Sequence, residues 1–183
     1  MGKRERLFEI TTWFHVFLAF GFIGWLYEVG IMYFEMHQGF VNRGFLFGPC
    51  LPLYGFGGLL ILLTAGRFRK HPLLCFLVIC LVTTGMELLA SYLLEWTMGY
   101  FLWDYRNTGY GPTFEGRIAL RSSLQFGLIG MAAVYLIAPV ISTGTKKLRA
   151  KFPRVFRGLC LILAVTFAWD LLYHLVYGSN AKW

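Results

Sequence analysis

The chain has 183 residues, of which 57% are hydrophobic, 19% aromatic and only 14% charged, and its mean hydropathy is +0.60. Soluble domains carry roughly a quarter charged residues, so the composition excludes a water-soluble fold. The formal net charge of +8 points to lipid headgroups and not to nucleic acid, because the cations lie in short stretches between apolar runs and no nucleic-acid module can be read.

A hydrocarbon core of ~30 Å is crossed by ~20 apolar residues in a helix. Five runs fit, at about residues 12–34, 46–65, 72–94, 118–141 and 159–177. They predict an all-α polytopic membrane bundle of about five transmembrane helices, a single transmembrane domain over residues 1–183 with no soluble domain. Lys3, Arg4 and Arg6 precede the first run as a signal peptide's basic end would. That run is long, however, and no small-x-small cleavage site follows, so it reads as an uncleaved anchor.

Orientation follows from the cations. Lys3, Arg4 and Arg6, then Arg67, Arg69 and Lys70, then Lys146, Lys147, Arg149, Lys151, Arg154 and Arg157 fall in alternate connections, twelve of the seventeen on one side. The positive-inside rule puts that side in the cytoplasm. The expectation is an N-in, C-out multi-pass protein of the plasma membrane (a bacterial inner membrane). Trp96, Tyr100, Trp103 and Tyr105 open the longest connection and read as an interfacial aromatic belt.

The second run begins unusually, with Gly44, Gly48, Pro49 and Pro52 close together. Proline lacks a backbone donor but suits the first helical position. A helix starting near Pro49 is expected, with Phe45–Gly48 as irregular chain within the membrane. The positive end of its dipole would lie beside Arg43.

Ionisable residues at mid-bilayer cost ~2.5–3.5 kcal/mol on insertion scales, so those inside the runs are informative. Cys80, Thr83, Thr84, Glu87, Ser91 and Glu95 recur at helical spacing and draw one polar stripe on the third run. Shorter stripes hold Glu28 and Glu35 on the first run, Arg117, Arg121 and Gln125 on the fourth, and Thr166, Asp170 and His174 on the fifth. All lie at one depth in the outer half, which predicts a shared polar cavity. The structural alternative pairs Glu28, Glu87 and Asp170 with Arg117 and Arg121. Such interhelical contacts average only ~0.6 kcal/mol, weak beside the insertion cost. Cys50, Cys75, Cys80 and Cys160 show no metal-ligand spacing, so free thiols with no disulfide, metal or cofactor are expected.

The run Asn42–Gly55, Glu87 with Ser91, Trp103-Asp104-Tyr105 and Gly116–Arg121 resemble a bacterial family of type IV ABC-transporter membrane proteins, over most of residues 12–177. The resemblance implies a small inner-membrane protein concerned with transport, without naming a substrate. No Walker loop is present, so any ATPase is expected as a separate subunit. Five spans are few for a whole translocation path, which favours a homo-oligomer or a hetero-partner. The candidate ligand site comprises Glu28, Arg43, Glu87, Ser91, Asp104, Arg117, Arg121, Gln125, Asp170 and His174. Its expected occupant is a small anionic or zwitterionic solute or a lipid headgroup. Two other classes stay open. One is an enzyme at the outer leaflet, with Glu87 or Asp170 as acid/base and the arginines gripping a phosphate or carboxylate, although no nucleophile–base pair or zinc motif is recognisable. The other is a non-catalytic accessory subunit whose polar stripe packs dry.

Overall fold

Long apolar runs give long helices. The computed structural model describes residues 3–34, 37, 39–42, 46–99, 103–106 and 108–177. Its helices are α1 (Lys3–Phe34), α2 (Pro52–Thr64, followed by a 3-10 turn at Ala65–Phe68), α3 (Pro72–Met98), α4 (Leu120–Ala132), α5 (Ala138–Lys151) and α6 (Pro153–Tyr177). Four stretches are long and apolar enough to cross a bilayer: Phe8–Ile31, Pro72–Thr97, Leu120–Lys151 and Pro153–His174. The apolar helix Pro52–Phe68 is shorter. Leu81, Leu89, Leu128 and Ile162 stand well exposed on these helices, a surface that suits hydrocarbon and not water. The chain is a multi-pass membrane protein built as a helical bundle.

Three features depart from the sequence expectation. First, α2 begins at Pro52 and not at Pro49. The preceding amides are committed elsewhere. Phe47 and Gly48 donate to the Asp170 carboxylate, Cys50 to the Gly48 carbonyl, and Leu51 to the Gly21 carbonyl of α1. Pro52 then takes the first helical position, and the Leu51 carbonyl accepts from Tyr54 and Gly55.

Second, the basic loop expected between the fourth and fifth runs is helix almost throughout. A π turn at Ala133–Ile137 joins α4 to α5 into one rod ending at Lys151, and α6 starts at Pro153. Pro139 cannot donate to the carbonyl four residues back, and the wider turn just before it absorbs that defect. Lys146, Lys147, Arg149 and Lys151 therefore ride the end of α5, with Arg154 and Arg157 on the start of α6.

Third, Ile118–Ala119 heads no helix. It forms β2, paired antiparallel with β1 (Thr113–Phe114), Thr113 opposite Ala119. Glu115 (φ 53°) and Gly116 (φ 72°) make the turn. Two-residue strands leave no periodic trace in a sequence.

The chain forms two compact units, Met1–Leu59 with Pro139–Trp183, and Leu60–Ala138. In the first, α1 and α2 approach through reciprocal small–large contacts. Tyr54 fills the space beside Gly24, Phe17 that beside Gly55, and Phe20 that beside Gly58. Small residues let membrane helices come close enough for dispersion to hold them. Phe14 and Phe17 of α1 meet Phe167 of α6 edge-on, at 6.3 and 5.5 Å. In the second unit, Ile61, Ala65, Cys75, Ile79 and Val134 form a buried core. Gly127 and Gly130 let α4 close on Phe76, Ile79 and Cys80 of α3. That approach turns the polar stripe of α3 toward α4.

Candidate functional site

Successive turns of the α3 stripe meet successive partners on α4 and the β1–β2 ribbon. Thr84 donates to the Ser123 hydroxyl at 2.7 Å. One turn on, Glu87 Oε1 accepts from the Tyr105 hydroxyl at 2.7 Å and from Ser122 at 3.0 Å. Its other oxygen, Oε2, is buried and accepts no hydrogen bond among the described residues. Another turn on, the Ser91 hydroxyl accepts from Arg117 Nη1 at 3.1 Å. Finally, Glu95 accepts from Arg117 Nη2 at 2.5 Å.

Arg117 is the hub. Only 7% of its side chain is exposed, and its guanidinium lies 3.9 Å over the Tyr92 ring. Its Nε also reaches Glu115 at 3.4 Å, and Glu115 accepts from the Tyr92 hydroxyl. The ribbon turn sets this position, since Arg117 follows directly on the positive-φ pair.

The 103–106 segment folds back over the turn. Trp103 Nε1 donates to the Arg117 carbonyl and the Tyr105 amide to the Gly116 carbonyl, both at 2.9 Å. Asp104 accepts from the amide and the guanidinium of Arg106, and that bonding holds its carboxyl below the usual range. A Cβ at Gly116 would strike Asp104 Oδ1, so glycine is required there twice over, for space and for its φ. Burial pushes the Tyr105 phenol far above its usual range, which keeps the hydroxyl protonated as a donor to Glu87.

Arg121 stands apart. It is exposed on the first turn of α4, 4.8 Å over the Tyr110 ring. Tyr110 in turn lies 5.4 Å from the Tyr105 ring. No carboxylate among the described residues pairs with Arg121.

In the other unit, Glu28 accepts from the Tyr54 hydroxyl at 2.6 Å. Asp170 accepts the Phe47 and Gly48 amides at 3.0 and 2.8 Å. His174 is buried, its ring 6.4 Å from Phe47.

The residues singled out in the sequence thus divide. Glu87, Ser91, Asp104, Arg117, Arg121 and Gln125 belong to the unit Leu60–Ala138, and Glu28, Asp170 and His174 to the other. Gln125 is half-buried on α4, and Arg43 lies outside the described residues. Glu87 takes hydroxyl donors and Asp170 takes amides. Within its unit Glu87 pairs with neither Arg117 nor Arg121, to which the structural alternative had joined it. Sequence reasoning missed Ser122, Glu115 and Tyr110 as partners, and it read Tyr105 as part of an interfacial belt. The one available signal was adjacency, since Ser122 follows Arg121 and Glu115 precedes Gly116-Arg117.

Chemically, Arg117 is neutralised where it stands, whereas Arg121 has no carboxylate partner among the described residues and Glu87 keeps a buried oxygen that accepts no hydrogen bond among them. A family model described as "Putative ABC-transporter type IV" matches residues 15–175. No curated protein and no solved structure matches the chain.

Proposed function

Because the chain belongs to that type IV ABC-transporter family, we propose that it is the membrane component of a transport system. In this reading, the corner formed by α3, the 103–117 loop and the start of α4 recognises the ligand, a small anionic or zwitterionic solute or a lipid headgroup arriving from the outer face. The observation that carries the reading is Arg121. A charge in a membrane protein seeks a partner, and this one lies over Tyr110 with no carboxylate beside it among the described residues. Stacking on a ring leaves the edge of the guanidinium fork for a planar anion such as a carboxylate or phosphate. Glu87, bonded to the neighbouring Ser122, supplies the negative point that suits the cationic half of a zwitterion.

Thermal protection by phosphate, glycine and phosphocholine tests this on detergent-solubilised protein. At least one probe should raise the melting temperature of the wild type. Arg121→Ala should abolish that protection while melting close to wild type, and Arg121→Lys should restore it poorly because lysine lacks the fork. If Arg121→Ala unfolds the protein and no probe protects the wild type, the charges are structural and the reading fails.

The reading also requires five crossings, N-in and C-out. Residues 46–51 extend the short α2 into a full crossing, and the basic α5–α6 corner faces the cytoplasm, where a separate ATPase subunit docks. A cysteine introduced by Thr108→Cys should react with an impermeant maleimide in intact cells. One introduced by Leu148→Cys should react only after permeabilisation. The reverse pattern overturns the orientation.

A further inference from the structure

We infer that the chain carries a second ligand site, a notch formed by Phe47, Trp169, Asp170 and Tyr173 that takes a quaternary ammonium group. All four residues belong to the unit Met1–Leu59 with Pro139–Trp183, so the site shares no residue with the Arg121 corner.

Trp169 and Tyr173 lie one turn apart on α6 and share a face, with Asp170 next to them. Phe47 comes from the irregular segment before α2. Its ring meets Tyr173 at 5.1 Å with the planes 78° apart, so the two rings form a corner. The four side chains line a cavity of about 300 Å³. Each ring keeps exposed surface, Phe47 39%, Trp169 71% and Tyr173 42%.

Asp170 has two roles here. By accepting the Phe47 and Gly48 amides at 3.0 and 2.8 Å, it fixes the Phe47 wall against α6. It also supplies the negative charge. Each of its oxygens already accepts one amide, which leaves fewer acceptor sites than a primary ammonium has N–H groups. A primary ammonium needs oxygen acceptors for its three N–H groups. A quaternary ammonium has no N–H to satisfy and asks only for aromatic faces and a nearby negative charge. Three rings and one occupied carboxylate suit the second kind of cation and not the first.

Calorimetry on the full chain in a maltoside detergent tests the assignment, with choline as probe and 3,3-dimethyl-1-butanol as its neutral isostere. Choline should bind, and the isostere should bind about tenfold or more weakly, because only the charged form gains from the rings and the carboxylate. Trp169→Leu should weaken choline by a similar factor, Trp169→Phe should keep most of the affinity, and Arg121→Ala should leave it unchanged. Phe47→Leu removes the opposite wall and should reproduce the loss should Trp169→Leu fail to fold. Competition from phosphatidylcholine nanodiscs but not phosphatidylglycerol ones makes the natural ligand a lipid headgroup, and no competition from either makes it a free solute. If choline does not bind, if the isostere binds equally well, or if neither leucine variant weakens choline, the rings are only an interfacial belt and the site is withdrawn.

Discussion

Arg117→Ala should destabilise the protein more than any other single substitution at the α3–α4 corner. The side chain is almost fully enclosed, and it serves Ser91, Glu95, Glu115 and the Tyr92 ring at once. Removing it strips Glu95 and Glu115 of the cation between them and takes a donor from Ser91; the two carboxylates keep exposed surface, so most of the loss comes from emptying the enclosed site that the arginine fills. Arg117→Lys keeps the charge but cannot reach three acceptors in different directions from one ammonium, so it should fall between alanine and wild type. Thermal unfolding in detergent should rank wild type and Arg121→Ala highest, then Arg117→Lys, then Arg117→Ala. An Arg117→Ala protein that melts with the wild type contradicts the role of the hub.

Asp170→Ala should release the segment before α2. Two backbone amides lose their acceptor, and because one of the bonds is exposed and the other half-buried, a loss of about 1–3 kcal/mol is expected. Asp170→Asn keeps one acceptor oxygen in place and should lose about half as much. Hydrogen exchange separates this local effect from general destabilisation. The amides of Phe47 and Gly48 should be protected in the wild type and exchange rapidly in Asp170→Ala. Equal exchange in both would show that the carboxylate does not hold the segment.

What the sequence revealed and what it hid follow from how local each signal is. The runs that become α1, α3 and α6 were legible because length and apolarity are properties of the run itself. The stripe of Thr84, Glu87, Ser91 and Glu95 was legible as one face for the same reason, since helical spacing is local. The partners on that face were not. Ser122, Ser123 and Arg117 are brought there by the glycine-mediated approach of α4, and Tyr105 by a loop that folds back on the ribbon. The start of α2 was misplaced by three residues because the acceptors that delay it, Gly21 and Asp170, come from α1 and α6. The α5–α6 corner reads as a loop in the sequence because the apolar run gives out at Ile141 and cations follow, whereas the helix continues to Lys151.

The corner's role in recognition is tested most directly by a structure of the protein determined in lipid nanodiscs with the protecting probe present. Density for its anionic group should lie within hydrogen-bonding distance of the Arg121 guanidinium over the Tyr110 ring, on the outer face, with any cationic group turned toward Glu87. An Arg121 paired with a protein carboxylate or turned into lipid, with no density beside it, would contradict recognition at this corner.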